Sequence, residues 1–137
     1  MAGYSGTPLP RKLGIKPGAR LALIRAPEDF ATVLGPLPEG VTVRRTARGP
    51  LDVAVYFTTR RLDLDRRFEA LAKSLDQAGG LWIAWPKRAS GVPTDLTENV
   101  IRDIGLAADL VDNKVCAIDD TWSGLRFVVR LKDRQRG

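Results

Sequence analysis

The sequence predicts a three-layer α/β domain: a mostly parallel sheet of about six strands, helices on both of its faces, and an antiparallel hairpin at the C-terminal end. Three observations lead there. Strand-like and helix-like segments alternate from Arg20 to Gly105. Two of the strands, Leu51 to Thr58 and Leu81 to Trp85, are apolar on both faces, as a central strand of a covered parallel sheet must be. The last two strands are separated only by the polar stretch Asp119 to Gly124, so they pair as a hairpin. A chain of 137 residues has the length of one domain. Residues 1–132 are read as that domain and residues 133–137 as a basic tail expected to be disordered.

Taken in order, Pro8 to Leu13 is a short helix with Gly14 just past its end. Lys16-Pro17-Gly18 turns the chain into a strand at Arg20 to Arg25, where Leu21, Leu23 and Ile24 are apolar. Pro27 suits the first position of a helix over Glu28 to Leu34, because its missing N–H is not needed there, and Gly35-Pro36 stops that helix. Val41 to Arg45 is a short strand. After the Leu51 strand, Arg60 to Asp76 has helical periodicity, with Leu64, Phe68, Leu71 and Leu75 on one stripe and charges on the other face. Gly79-Gly80 leads into the strand Leu81-Trp82-Ile83-Ala84-Trp85, and Pro86 ends it. Thr94 is placed as the N-cap of a helix running to about Ile104, with Asp95 and Glu98 favouring the positive end of its dipole and Gly105 at the C′ position. Strands follow at Leu110 to Ile118 and Leu125 to Leu131, the second with Leu125, Phe127, Val129 and Leu131 inward and Arg126 and Arg130 outward. Ligands of such sheets bind beyond the carboxyl ends of the strands, which here means the stretches after Ile24, Phe57 and Trp85.

Several of these segments carry a resemblance. Leu13-Gly14-Ile15-Lys16-Pro17-Gly18 before the first strand, Ala78-Gly79-Gly80-Leu81-Trp82-Ile83, and Ile104-Gly105-Leu106 followed by a hairpin ending in Gly124 to Arg130 look like the corresponding parts of the class I SAM-dependent methyltransferases. The resemblance implies a Rossmann-like fold. The family places a glycine-rich turn after its first strand, where a side chain would collide with the methionine part of SAM. This chain has Arg25-Ala26-Pro27-Glu28-Asp29 there. The family also places a carboxylate at the end of the second strand for the ribose hydroxyls. Here Arg44-Arg45 stands in that place and accepts no hydrogen bond. On this reading the bend leaves no room for a nucleoside cofactor. The whole chain also resembles a bacterial family of short proteins known only as a domain of unknown function, through Met1 to Leu9, Trp85-Pro86-Lys87, Ser90 to Leu96 and Asp120-Thr121-Trp122-Ser123-Gly124. That family implies a fold and no activity.

Composition narrows the chemistry. There is no histidine, which removes the commonest general base and imidazole metal ligands. The single cysteine, Cys116, excludes an internal disulfide and reads as a small buried hydrophobe in mid-strand. No apolar run approaches the roughly 20 residues that span a bilayer, and the first ten residues lack a secretory leader. A cytoplasmic location is expected. The net charge of +6 is concentrated at the ends: residues 1–25 hold five bases and no acid, and the stretch from Leu125 five bases and one acid. This is read as solubility, with attraction of an anionic partner as the alternative.

Two stretches hold the candidate site residues. In the loop after Trp85, Lys87, Arg88, Ser90, Thr94 and Asp95 lie where a helix N-terminus could hold an anion, or else form a well-capped loop. In the hairpin turn, Asp119, Asp120, Trp122 and Ser123 are interaction candidates. Trp122 is either an exposed recognition residue or folded back on the sheet edge. Asp119 and Asp120 together with Asp95 could bind a hard cation. Tyr4, Trp82 and Trp85 with Arg11 and Lys12 suggest stacking on single-stranded nucleic acid, against which the two tryptophans fall in a buried strand.

The functional expectation is a non-catalytic Rossmann-like module that binds and regulates another protein. The alternatives are a SAM- or nucleotide-binding protein or methyltransferase-like enzyme, and a nucleic-acid-binding accessory protein. No catalytic residue, cofactor or metal is expected. The expected partner is a protein, nucleic acid is not favoured, and no membrane is involved.

Overall fold

A computed structural model describes residues 6–134. Tyr4, with the rest of 1–5, and residues 135–137 of the tail lie outside it. The elements are α1 (Leu9–Lys12), β1 (Arg20–Ile24), α2 (Phe30–Leu34), β2 (Thr42–Arg44), β3 (Leu51–Phe57), α3 (Arg61–Lys73), β4 (Leu75–Pro86), α4 (Glu98–Ala107), β5 (Leu110–Ala117) and β6 (Trp122–Val129). Single 3-10 turns lie at Arg88–Ser90 and Leu131–Asp133. One six-stranded sheet has the order β2-β1-β3-β4-β6-β5. β2, β1, β3 and β4 run parallel, and β6 runs antiparallel between β4 and β5. The three-layer fold with its terminal hairpin is therefore present.

Two apolar cores flank the sheet. On one face, Ala54, Tyr56, Leu81, Ile83, Leu125 and Phe127 pack under Leu64, Phe68 and Leu71 of α3 and Ile101 of α4. On the other, Val53, Val55, Phe57, Trp82 and Ala84 pack under Leu13 and Ile15 beside α1 and Phe30 and Leu34 of α2. Trp82 and Trp85 are both buried. Trp82 Nε1 donates to the Leu13 carbonyl oxygen at 3.0 Å, so the indole's one polar group is satisfied inside the core. Arg20 closes the amino edge: its backbone N–H, Nε and Nη2 all donate to the Asp52 carboxylate at 2.7, 2.9 and 2.9 Å, tying β1 to β3.

Several expected boundaries move, each for a local reason. The helix after β1 begins at Phe30, not Glu28, because Pro27 to Asp29 form a turn closed by Phe30 N–H donating to the Pro27 carbonyl at 3.0 Å. α3 ends at Lys73, and Leu75 leaves the helical stripe to pair with Leu51 in the sheet. Thr94 does not cap α4. Thr97 does, its side chain accepting from the Val100 N–H at 3.2 Å. Gly105 is not a C′ residue but a buried position inside α4, where a methyl group would lie 2.0 Å from Phe127 Cε1. β6 ends at Val129, and Leu131, expected inward, is 78% exposed.

Candidate functional site

β1, β2, β3 and β4 release their chains at one edge of the sheet, and two cavities of ≈ 520 Å³ each open along that carboxyl edge. The first lies between the ends of β1 and β2, walled by Leu23, Ala26, Pro27, Phe30, Ala31 and Val43, with Arg25, Glu28 and Arg45 as its charged groups. The second lies beyond β4 and is bounded by Trp85, Arg88 and the residues from Gly91 to Glu98.

The bend at the end of β1 determines the shape of the first cavity. Arg25 sits at φ 60°, the left-handed region that glycine enters freely. Holding a side-chain-bearing residue there costs on the order of 1 kcal/mol. The Arg25 guanidinium reaches the first turn of α3, where Nη1 lies 3.5 Å from Asp63 Oδ2. The backbone thus makes a glycine-type bend without glycine, with the side chain led toward α3. Ala26 and Pro27, both small, then line open space. Arg25-Ala26-Pro27, expected to leave no room, borders open space of ≈ 520 Å³. The end of β2 carries Arg44 and Arg45 and no carboxylate, as expected. Arg45 does face the cavity, and Arg44 Nη1 donates to the Arg48 carbonyl. Glu28 nevertheless lines the same space with a carboxylate that has no hydrogen-bond partner among the described residues. Apolar walls, the Glu28 carboxylate and the Arg45 guanidinium can take a planar base, hydroxyls and an acidic group together.

The loop beyond β4 is internally satisfied. Ser90 Oγ donates to the Lys87 carbonyl at 2.7 Å and accepts from the Val92 N–H at 3.2 Å. Thr94 Oγ1 donates to the Thr59 carbonyl at 2.6 Å and accepts from the Leu96 N–H at 3.1 Å. Asp95 Oδ1 accepts from the Arg61 N–H at 2.8 Å, so its carboxylate caps α3 rather than α4. Lys87 donates its backbone N–H to the Thr121 carbonyl at 2.7 Å, and Arg88 is exposed. Arg88, Thr94 and Asp95 are brought together on the second cavity; Lys87 and Ser90 do not line it.

In the hairpin turn, Asp119 Oδ1 accepts from the N–H groups of Thr121 and Trp122, each at 2.8 Å. Asp120 is exposed, and Ser123 pairs with Ala117 and Trp85 across the sheet. Trp122 is half-buried and stands edge-on to Phe57, ring centroids 5.2 Å apart. Among the described residues no three acidic or thiol side chains gather as a metal site, so Asp95 does not join Asp119 and Asp120 in one. Cys116 is half-buried, and burial pushes its thiol pKa up, opposed by Lys12, Lys114 and Lys87. The reasoning from sequence missed Glu28 and the Arg25 bend as features of a site. Acids after a proline signal only helix-dipole partners, and nothing local marks an arginine for left-handed backbone.

No protein-family model matches the chain, and no curated protein matches it in sequence. The resemblance to the family of short bacterial proteins gains no support there. Solved structures do match in fold. A TehB-like SAM-dependent methyltransferase from Corynebacterium glutamicum superposes with a TM-score of 0.60 at 9% identity, covering 93% of this chain and 90% of that one. A SAM-dependent methyltransferase from Aquifex aeolicus gives 0.58 at 12% identity over 85% of each chain. Magnesium protoporphyrin IX methyltransferase from Synechocystis, solved with bound SAM, gives 0.55 at 10% identity over 89% of this chain and 74% of that one. These matches count against the reading as a non-catalytic protein-binding module, because many of the structures sharing the scaffold are SAM-dependent methyltransferases, and they favour the ligand-binding alternative. Among the described residues no helix is long and apolar enough to cross a membrane. The chain has the Rossmann-like fold of the SAM-dependent methyltransferases, built here on six strands.

Proposed function

We propose that this chain binds SAM or a related nucleoside ligand in the cavity between β1 and β2, as a methyltransferase-like protein. The observation that carries the reading is the Arg25 bend at φ 60°, which opens a ≈ 520 Å³ cavity at the carboxyl edge while turning its own side chain toward Asp63. That volume is within the range of small-molecule sites, roughly 300–1,000 Å³. Leu23, Ala26, Pro27 and Val43 provide apolar surface for a base. Glu28 provides the acceptor for sugar hydroxyls that the second strand lacks, and Arg45 a donor for a carboxylate or phosphate. SAM, when bound, supplies an electrophilic methyl group. The second cavity, beyond Trp85, is the space available on the same edge for a methyl acceptor, with Arg88 and Asp95 to orient it. A cytoplasmic setting suits this reading.

A thermal-shift panel of SAM, its demethylated product SAH, AMP, ATP and NAD tests it. A ligand at about 100 times its dissociation constant stabilises the folded state by about 2.7 kcal/mol. For a domain of this size that raises Tm by on the order of 10 °C. A shift with SAM or SAH is expected. No shift with any of the five contradicts the proposal.

A further inference from the structure

We infer that the chain carries a second, independent site: a basic strip on the face of β6 and β5 opposite α4, which binds the phosphate backbone of a nucleic acid. α4 packs against β5 and β6 from one side. On the other side, the alternation of the strands turns Lys114 and Arg126, which are register partners, toward the same face. Lys114 Nζ donates to the Lys12 carbonyl at 3.2 Å, which brings the end of α1 and its lysine to that face. At the amino edge, Lys16 and Arg126 line one cleft of ≈ 360 Å³. Arg126 lies flat across Gly80, where a methyl group would come within 2.4 Å of its Nε. Arg134 is anchored beside it, its Nε donating to the Val129 carbonyl at 3.2 Å. At the opposite end, Lys87 follows Pro86, and with Lys12 and Lys114 it surrounds Cys116 closely enough to act on the thiol. From Arg126, opposite Trp82, to Lys87 the strip runs about five residues along β4, roughly 17 Å.

Two carboxylates near this strip, Asp52 and Asp112, are held by other cations. Asp52 also lines the cleft, but it already accepts three hydrogen bonds from Arg20. Asp112 faces the other way and is held by Arg102 Nε at 2.9 Å. Arg126 has no acidic partner among the described residues, and burial together with Arg134 lowers its pKa. A half-buried guanidinium facing another cation is unfavourable until an anion joins it. Arg130 Nε is likewise buried without a partner among the described residues. One free phosphate would be satisfied by Lys16 and Arg126 alone. A row that continues through Lys114 and Lys12 to Lys87 suits a linear polyanion.

The test is fluorescence anisotropy of the full chain with a labelled single-stranded oligouridylate and, in parallel, a labelled DNA duplex. About five neutralised phosphates on a single strand give a log K against log salt slope of roughly −3.5, a fall of about 100-fold between about 50 and 200 mM salt. The double substitution Lys16→Glu with Lys114→Glu, both exposed positions, is expected to weaken binding at least tenfold and to flatten that slope. Arg66→Glu with Arg67→Glu reverses the same number of charges at exposed positions on α3 and is expected to change binding less than threefold. Three results overturn the inference: no binding of either nucleic acid at low salt, equal weakening by both double variants, or complete displacement by inorganic phosphate at constant ionic strength. The wild-type salt slope tests it without any variant.

Discussion

Replacing Gly105 with alanine separates the packing seen here from what helix propensity alone would give. Gly105 lies within α4, at a helical position where glycine is about 1 kcal/mol worse than alanine. Propensity alone therefore predicts that Gly105→Ala stabilises the protein by about that amount. The structure reverses the sign. A Cβ at 105 would stand 2.0 Å from Phe127 Cε1 and 2.6 Å from Cδ1 and Cζ. The Phe127 ring cannot step aside, because it is fully buried and stands edge-on to Phe68, centroids 5.3 Å apart. Overpacking of this kind costs about 1–3 kcal/mol. Set against the propensity gain, the net loss is up to about 2 kcal/mol, which lowers the urea midpoint by up to roughly 1 M. Equilibrium urea unfolding followed by far-UV circular dichroism reads this directly. The companion Phe127→Leu removes the obstructing ring, and in that background Gly105→Ala should become neutral or stabilising, a coupling measured by a double-mutant cycle. A stabilised Gly105→Ala in the wild-type background would refute the close approach of α4 to β6.

Other substitutions probe the remaining contacts. Trp82→Phe loses the bond to the Leu13 carbonyl and part of a fully buried ring, so a loss of about 2–4 kcal/mol is expected in the same unfolding assay. Thr97→Ala should cost about 1 kcal/mol and speed hydrogen exchange at the Val100 amide, whereas Thr94→Ala should leave that amide protected and loosen the loop from Thr59. The Arg20 hydrogen bonds hold the Asp52 carboxyl below its usual range. Because the folded-state pKa is depressed, this stabilisation is complete above the unfolded pKa of about 3.9 and fades as pH falls through the folded value. Asp52→Asn should thus be less stable than wild type near neutrality, and the gap should close below about pH 4.

The parts of the fold that were legible in the sequence are those set by local pattern. β3 and the Leu81 to Trp85 part of β4 announce themselves through apolar residues on both faces, and α3 through its Leu64-Phe68-Leu71 stripe. What failed depends on partners distant in the chain. Gly105 looks like a helix stop until Phe127 is seen beneath it. Thr94 and Thr97 both precede an acid, and only the reach of Thr94 to Thr59 decides which one caps α4. Leu75 fits the helical stripe as well as it fits the sheet, and its pairing with Leu51 decides.

The site was less legible than the fold. Absence of glycine after β1 implies a bend with no room for a ligand, yet Arg25 takes the left-handed conformation and engages its side chain with Asp63. Glu28 becomes a cavity residue only because α2 starts at Phe30, leaving it in the preceding turn. The loop candidates Ser90, Thr94 and Asp95 carry the right chemistry, but their polar atoms engage the loop backbone at Lys87, Val92 and Leu96 and the β3–α3 turn at Thr59 and Arg61.

The most direct measurement is titration calorimetry of SAM and SAH against the wild-type chain and Ala31→Trp, an exposed position on α2 whose enlarged side chain would fill the β1–β2 cavity. Saturable binding to the wild type that is lost in Ala31→Trp, with the substituted protein still folded, is the result expected. Absence of binding to the wild type, or equal binding to both proteins, would contradict the placement of a nucleoside ligand at the Arg25 bend.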